Sequence, residues 1–170
     1  ARDGAKRAAP ERDESIIAIG DDRLHSATEC LNQRGIVVHP RIIRGVEELH
    51  KVMATATSRY AVVHIHVESL DELVDGSIER SLALTSPGTR VIWSTIKRDD
   101  SASGSFSPED RINASIRNVV SRHPNGRLLD WRSALDRHPD WFIGGVGMTS
   151  QGCAEYAAKV RKLSGLTRGT

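Results

Sequence analysis

"SIIAIGDDRLHSA" (residues 15–27) decides the fold. Its first six residues hold an apolar run rich in β-branched residues, continuous rather than alternating, the pattern of a strand covered on both faces. A glycine ends the run, two acids follow, and Leu24, Ala27 and Leu31 then recur at helical spacing. A strand that turns directly into a helix is half of a βαβ unit. The same grammar repeats along the chain. Further apolar runs are "GIVVHP" (35–40), "YAVVHIHV" (60–67), "TRVIWS" (89–94) and "RLLDW" (127–131).

Helical stripes lie between these runs. Val46, Leu49, Val52 and Met53 form one, and Leu70, Leu73, Val74, Ile78 and Leu82 another, interrupted by Gly76. "SPED" (107–110) opens a fourth helix: Ser107 can cap it, Pro108 suits its first position, and the acids sit near its positive dipole end. A last helix runs from about Thr149 to Leu163, with Ala154, Ala157, Val160 and Leu163 as its core positions. Five strands alternating with helices predict a five-stranded parallel sheet inside a three-layer α/β/α sandwich with right-handed crossovers.

The charged, Ala-rich, Pro-broken segment 1–14 reads as a flexible linker, 15–165 as the domain and 166–170 as a tail. At 170 residues, 38% hydrophobic and 27% charged, the chain has enough apolar material for one core. A net charge of +2 is too small to argue for nucleic acid. No apolar run approaches the roughly 18 residues of a membrane span. The chain begins at Ala1 without a signal peptide, as expected of a piece of a longer or processed protein. Cys30 and Cys153 have no zinc-site spacing, and they are compatible with two buried thiols or one disulfide.

In a parallel sheet, ligands meet the carboxyl ends of strands. The stretches to inspect are therefore "GDDRLH" (20–25), "HVES" (66–69), "TIKRDD" (95–100) and the loop "HPDWFIGGVGMTSQGCAEY" (138–156). In this order they resemble the SGNH (GDSL-like) hydrolase family, in particular the extracytoplasmic domain appended to membrane acyltransferases of the acyltransferase-3 type. The likeness spans about 150 residues, and "RLLDWRSALDRHPDWF" followed by "GGVGMTSQGCAEYAAKV" is its most specific part. It implies a flavodoxin-like SGNH fold with no cofactor. In that family the serine after Gly-Asp is the nucleophile, a late Asp and His activate it, and Gly and Asn from intermediate loops help stabilise the oxyanion.

Carried over residue by residue, Gly20 and Asp21 match, but the nucleophile position holds Asp22. The oxyanion Asn position falls on Glu68, the late Asp on Gly144 and the late His on Gly147; Gly45 is the nearest match for the second-loop glycine. Acyl transfer through serine needs a hydroxyl oxygen, a base within hydrogen-bond reach and donors aimed at the developing oxyanion. Asp22 is a weak nucleophile, an ionised Glu68 repels an oxyanion, and glycines supply neither base nor orienter. The resemblance thus implies a domain that keeps its cleft and lacks serine chemistry. A different serine held against a histidine and a carboxylate at the sheet rim would reverse that reading.

The expected cleft comprises Gly20, Asp21, Asp22, Arg23, His66, Glu68, Trp93, Lys97, Gly145 and Thr149. Arg23, Arg41, Arg44, Lys97 and Arg98 form an expected basic rim. A rival reading places a metal ion on His64, His66, Glu68 and Asp22, because alternate residues of "HIHVE" share a strand face. An Asp22–His25 acid–base pair at a helix start is a further alternative. Asp130 is expected to bond loop backbone, and His138, Asp140 and Trp141 to pin the late loop, with Phe142 packed beneath. Export, implied by the resemblance, and the family's neighbouring placement of the two helices favour a Cys30–Cys153 bridge. The expected partners are a membrane acyltransferase domain of the same chain or an envelope protein, and an envelope glycan or lipid-linked acceptor. Nucleic acid is not among them. The expected location is the periplasm or cell envelope.

Overall fold

A computed structural model describes residues 13–98, 108–143 and 147–166. The strands are β1 (Asp13–Gly20), β2 (Ile36–Val38), β3 (Tyr60–His66), β4 (Arg90–Ser94) and β5 (Gly126–Leu129). They form one parallel sheet in the order β2-β1-β3-β4-β5. The helices are α1 (Asp22–His25), α2 (Thr28–Gln33), α3 (Val46–Arg59), α4 (Asp75–Ala83), α5 (Pro108–Val120), α6 (Trp131–Arg137) and α7 (Ser150–Ser164).

Both sheet faces are covered, which is why the strands are continuously apolar. Ile17, Ile19, Val63, Ile65, Val91 and Trp93 pack against Leu49 and Met53 of α3, Ile78 and Leu82 of α4, and Ile112 and Ile116 of α5. Ile16, Ala18, Val62 and Ile92 face the opposite layer, built from Leu24 of α1, Leu31 of α2, Trp131 and Leu135 of α6, and Tyr156 and Val160 of α7. The strand order reverses between β1 and β3, so the crevice opens at the carboxyl ends of these two strands. Gly20 is required there: a Cβ on it would lie 2.4 Å from the carbonyl oxygen of His66 and 2.6 Å from Cβ of Leu24.

The structure shows the expected three-layer fold and corrects several boundaries. β1 begins at Asp13, inside the expected linker, whose residues 1–12 lie outside the described residues, as do 167–170 of the tail. The first helix is two short ones, separated at Ser26 and Ala27, where Thr28 Oγ1 donates to the carbonyl of His25. The helix expected from Leu70 begins only at Asp75. Val74 is extended, with its backbone N–H and C=O both bonded to Ser77 Oγ, while Leu70 and Leu73 are buried in the preceding turns. The fifth strand ends at Leu129 because Asp130 caps α6, a helix absent from the sequence reading. Helix α5 starts at Pro108 as expected, and its proposed cap Ser107 lies outside the described residues. A 3₁₀ turn (Pro139–Trp141) and a small antiparallel pair, β6 (Phe142–Ile143) with β7 (Gly147–Met148), lead into α7.

Candidate functional site

Asp21 organises the crevice. It sits at the end of β1 and is buried, with its carboxylate saturated by main-chain donors. Oδ2 accepts from the N–H groups of Glu68 (2.7 Å) and Ser69 (2.8 Å), and Oδ1 accepts from Arg23 (3.2 Å). One side chain thereby caps α1 and ties the loop after β3 to the end of β1. The cleft beside it has a volume of about 470 Å³ and is lined by Asp21, Asp22, Arg23, Glu68, Ser69, Asp71 and Arg98.

Asp22 stands exposed at the cleft wall, in the first turn of α1. Arg23 Nε lies 3.7 Å from Oε2 of the buried Glu68. Arg98 donates through Nε to the carbonyl of Glu68 (2.7 Å), and its Nη1 pairs with Asp71 (2.7 Å). The described walls are thus carboxylates and guanidinium groups, with Ser69 as the exposed hydroxyl among them.

Beneath this floor runs a chain of buried polar groups on the α7 side of the sheet. Glu68 Oε1 lies 3.0 Å from His66 Nε2, and His66 Nδ1 lies 2.6 Å from Ser94 Oγ and 3.0 Å from the Tyr156 hydroxyl. Tyr156 also hydrogen-bonds His64 Nε2, whose Nδ1 donates to the carbonyl of Ile92 at 3.0 Å. His64 is fully buried, and burial together with the nearby His66 pushes its pKa down to about 3. At neutral pH it is therefore uncharged. Burial likewise pushes the Tyr156 hydroxyl well above its ordinary value. Satisfied in this way, the chain avoids most of the cost of enclosing polar groups in an apolar layer.

Ser94, His66 and Glu68 thus form a serine–histidine–carboxylate series at the sheet rim, of which Ser94 and His66 are not positions of the family motif and Glu68 is its oxyanion Asn position. Its direction is the reverse of a working triad, in which the hydroxyl faces substrate and the acid lies behind the imidazole. Here Ser94 is 0% exposed at the inner end, and Glu68 is the member that lines the cleft. Tyr156, also 0% exposed, shares the same imidazole nitrogen. A carbonyl entering the cleft reaches the carboxylate, not the hydroxyl.

The remaining expectations divide. Gly20, Asp21, Asp22, Arg23, His66 and Glu68 come together at the rim of β1 and β3, although the His66 side chain lies under Glu68 rather than on the cleft wall. Trp93 is fully buried in the α3–α5 layer, because alternation along β4 sends Trp93 to one face and Ser94 to the other. It is no cleft platform. Lys97 turns away to pair with Asp136 of α6 (3.0 Å). Thr149 caps α7 by accepting from the N–H of Gly152, and it borders a separate depression beside the cysteines. Of the expected basic rim, Arg23 and Arg98 reach the cleft; Arg41 pairs with Glu48 and, unlike Arg44, lines a different hollow on α3. Gly144 and Gly145 lie outside the described residues. Gly147 is described, at φ +104°, a backbone conformation that a side-chain-bearing residue rarely adopts.

The histidines of the metal reading have other partners in this structure. Both nitrogens of His64 and of His66 are engaged in hydrogen bonds. Among the described residues, no group of three or more His, Cys, Asp or Glu side chains is arranged to hold a metal ion. An Asp22–His25 pair does not form either, since His25 Nε2 is buried without a hydrogen-bond partner. Asp130 accepts from Thr95, Arg117 and both the backbone and hydroxyl of Ser133. Burial acts to raise its pKa, but these hydrogen bonds outweigh it and hold the carboxyl below its usual value. The late segment is pinned by aromatic stacking of Trp141 on His138 (4.0 Å) and on Trp131 (5.9 Å). A disulfide joins Cys30 of α2 to Cys153 of α7.

No family model matches the sequence, and no curated protein matches it. Solved structures do match. The C-terminal catalytic domain of Streptococcus pneumoniae peptidoglycan O-acetyltransferase A, carrying a methylsulfonyl adduct, aligns over 90% of this chain and 93% of its own, with TM-score 0.74 and 16% identity. A lipolytic protein of the G-D-S-L family from Veillonella parvula aligns over 88% of this chain and 97% of its own, with TM-score 0.65 and 14% identity. A lipase from a goat rumen metagenome aligns over 92% and 99%, with TM-score 0.59 and 10% identity. The chain has an SGNH-like fold, and it resembles an acyltransferase C-terminal domain in that fold.

Proposed function

We propose that this chain is a non-hydrolytic SGNH-like domain of a cell-envelope acyltransferase, and that its cleft binds the glycan acceptor. The observation that carries the reading is the exchange of roles at the rim: an exposed Asp22 occupies the nucleophile position, and the nearby Ser94 hydroxyl is enclosed behind His66 and Tyr156. A cleft of about 470 Å³ suits a small ligand. Exposed carboxylates, a hydroxyl and a guanidinium offer the mixed acceptors and donors that sugar hydroxyls require. Acyl transfer would then take place in a membrane part of the same protein or in a partner. The chain would act outside the cytoplasm, tethered through that part. No helix among the described residues is long and apolar enough to cross a membrane.

The test pairs turnover with binding. Acetyl-ester hydrolysis and fluorophosphonate labelling are expected at buffer level, while envelope-glycan fragments shift the amide resonances of Asp22, Arg23 and Ser69. Labelling or turnover well above buffer would overturn the reading. A second reading, an esterase using Ser94, is favoured by the 2.6 Å Ser94–His66 contact alone. It requires labelling that disappears in Ser94→Ala.

A further inference from the structure

We infer that the Cys30–Cys153 disulfide is a thiol-exchange site, open in the folded protein to dithiol reductants that enter at Cys30. The bridge is not sealed in the core. It forms part of the wall of a surface depression of about 390 Å³ that also includes Ser26, Glu29, Arg34 and Thr149. Cys30 is a partly exposed residue, whereas Cys153 is 3% exposed, so the Cys30 end of the bridge is the more accessible to an incoming thiolate.

Two local charges favour that direction of attack. Arg34, one turn along from Cys30, places Nη1 3.2 Å from Cys30 Sγ. Its guanidinium attracts an anionic nucleophile and stabilises charge as it spreads over the reacting sulfurs. Cys153 lies in the first turns of α7, after the Thr149 cap, where the positive end of the helix dipole favours a departing thiolate. The chemistry follows. A thiolate of the dithiol bonds to Cys30 Sγ, the Cys30–Cys153 bond breaks, and its electron pair leaves on Cys153 Sγ. The second thiol of the reductant then attacks its own sulfur in the mixed disulfide, and Cys30 departs as a thiolate beside Arg34. The reductant ends as a cyclic disulfide, oxidised by two electrons, and the two cysteines end as thiols after taking up protons.

The site is independent of any acyl chemistry, and it bears on the cleft only through the elements it ties. α2 follows directly on α1, which carries Asp22 and Arg23, and α7 carries Tyr156 of the buried chain. Reduction therefore releases the covalent link between α2, which follows the cleft-wall helix α1, and α7, which carries Tyr156.

The test uses the full chain in non-denaturing buffer with excess dithiothreitol, quenched with iodoacetamide and read by mass. Reduction is expected to rise in proportion to dithiol concentration and to outrun global unfolding measured by hydrogen exchange. Arg34→Gln is expected to slow it by roughly three- to tenfold, through loss of the guanidinium charge that attracts the incoming thiolate and stabilises charge on the attacked sulfur, with Arg34→Lys retaining most of the rate. Thiolate absorbance in Cys153→Ser gives a second readout: the Cys30 thiol should titrate below its ordinary value, and Arg34→Gln should reverse that. Reduction at the unfolding rate, independent of dithiol concentration, would overturn the inference. So would an Arg34→Gln variant that exchanges at the original rate.

Discussion

Removing the carboxylate of Asp21 tests whether one side chain holds the cleft together. Asp21→Ala strands three main-chain N–H groups, that of Glu68 fully buried and those of Ser69 and Arg23 partly so. A stranded buried donor costs about 1–3 kcal/mol, and the two partly buried ones fall toward the lower end because water can replace the acceptor. The expected loss is about 4 kcal/mol, a large share of the roughly 5–15 kcal/mol that stabilises a typical domain. Asp21→Asn separates charge and acceptor geometry from volume. Its carbonyl oxygen can still serve Glu68 and Ser69, but its amide then faces the Arg23 N–H, donor against donor. That variant should lose about 2 kcal/mol and stay folded. Urea denaturation with unchanged m-values measures both, and hydrogen exchange should speed up at the amides of Glu68 and Ser69 before the rest of the sheet. An Asp21→Ala loss below about 1 kcal/mol, with those amides still protected, would refute the clamp.

Other outcomes follow from the same structure. His64 is neutral in the fold because burial lowers its pKa from 6.5 to about 3, so the unfolded chain gains a proton first as pH falls. Its contribution is full above about pH 6.5 and drains at about 1.4 kcal/mol per unit between there and pH 3, a slope that His64→Gln should flatten in pH-dependent denaturation. Replacing both cysteines by serine opens a bridge with a sequence separation of 123 residues and should cost about 2–4 kcal/mol in urea titrations. Gly147→Ala places a side chain at φ +104° and should lower stability by about 1–2 kcal/mol, so refilling that position with histidine does not by itself rebuild a base.

The layers were legible because burial on both faces leaves unbroken apolar strands, as in Ile16–Ile19 and Val91–Trp93, and covering helices keep a stripe such as Leu49, Val52 and Met53. Helix α6 was missed because its start depends on Asp130, which also reads as the last polar residue of a strand. At the rim, spacing correctly put His64 and His66 on one strand face. It carried no signal for what lies opposite them, since Tyr156 is 90 residues beyond His66 and arrives on another helix. Trp93 and Ser94 show the same limit: adjacent in sequence, they face different layers, and only the register of β4 beside β3 decides which.

By itself, then, the sequence determined the alternation of strand and helix, the parallel sheet and the chemical identity of the residues at its carboxyl edge, because hydrophobic periodicity and side-chain chemistry are local properties. Only the tertiary structure decided that the serine, histidine and glutamate of that edge line up with the hydroxyl buried, and that Lys97 and Thr149 stand away from the cleft. Direction and accessibility depend on contacts between distant segments, and these come into being when the helices close over the sheet.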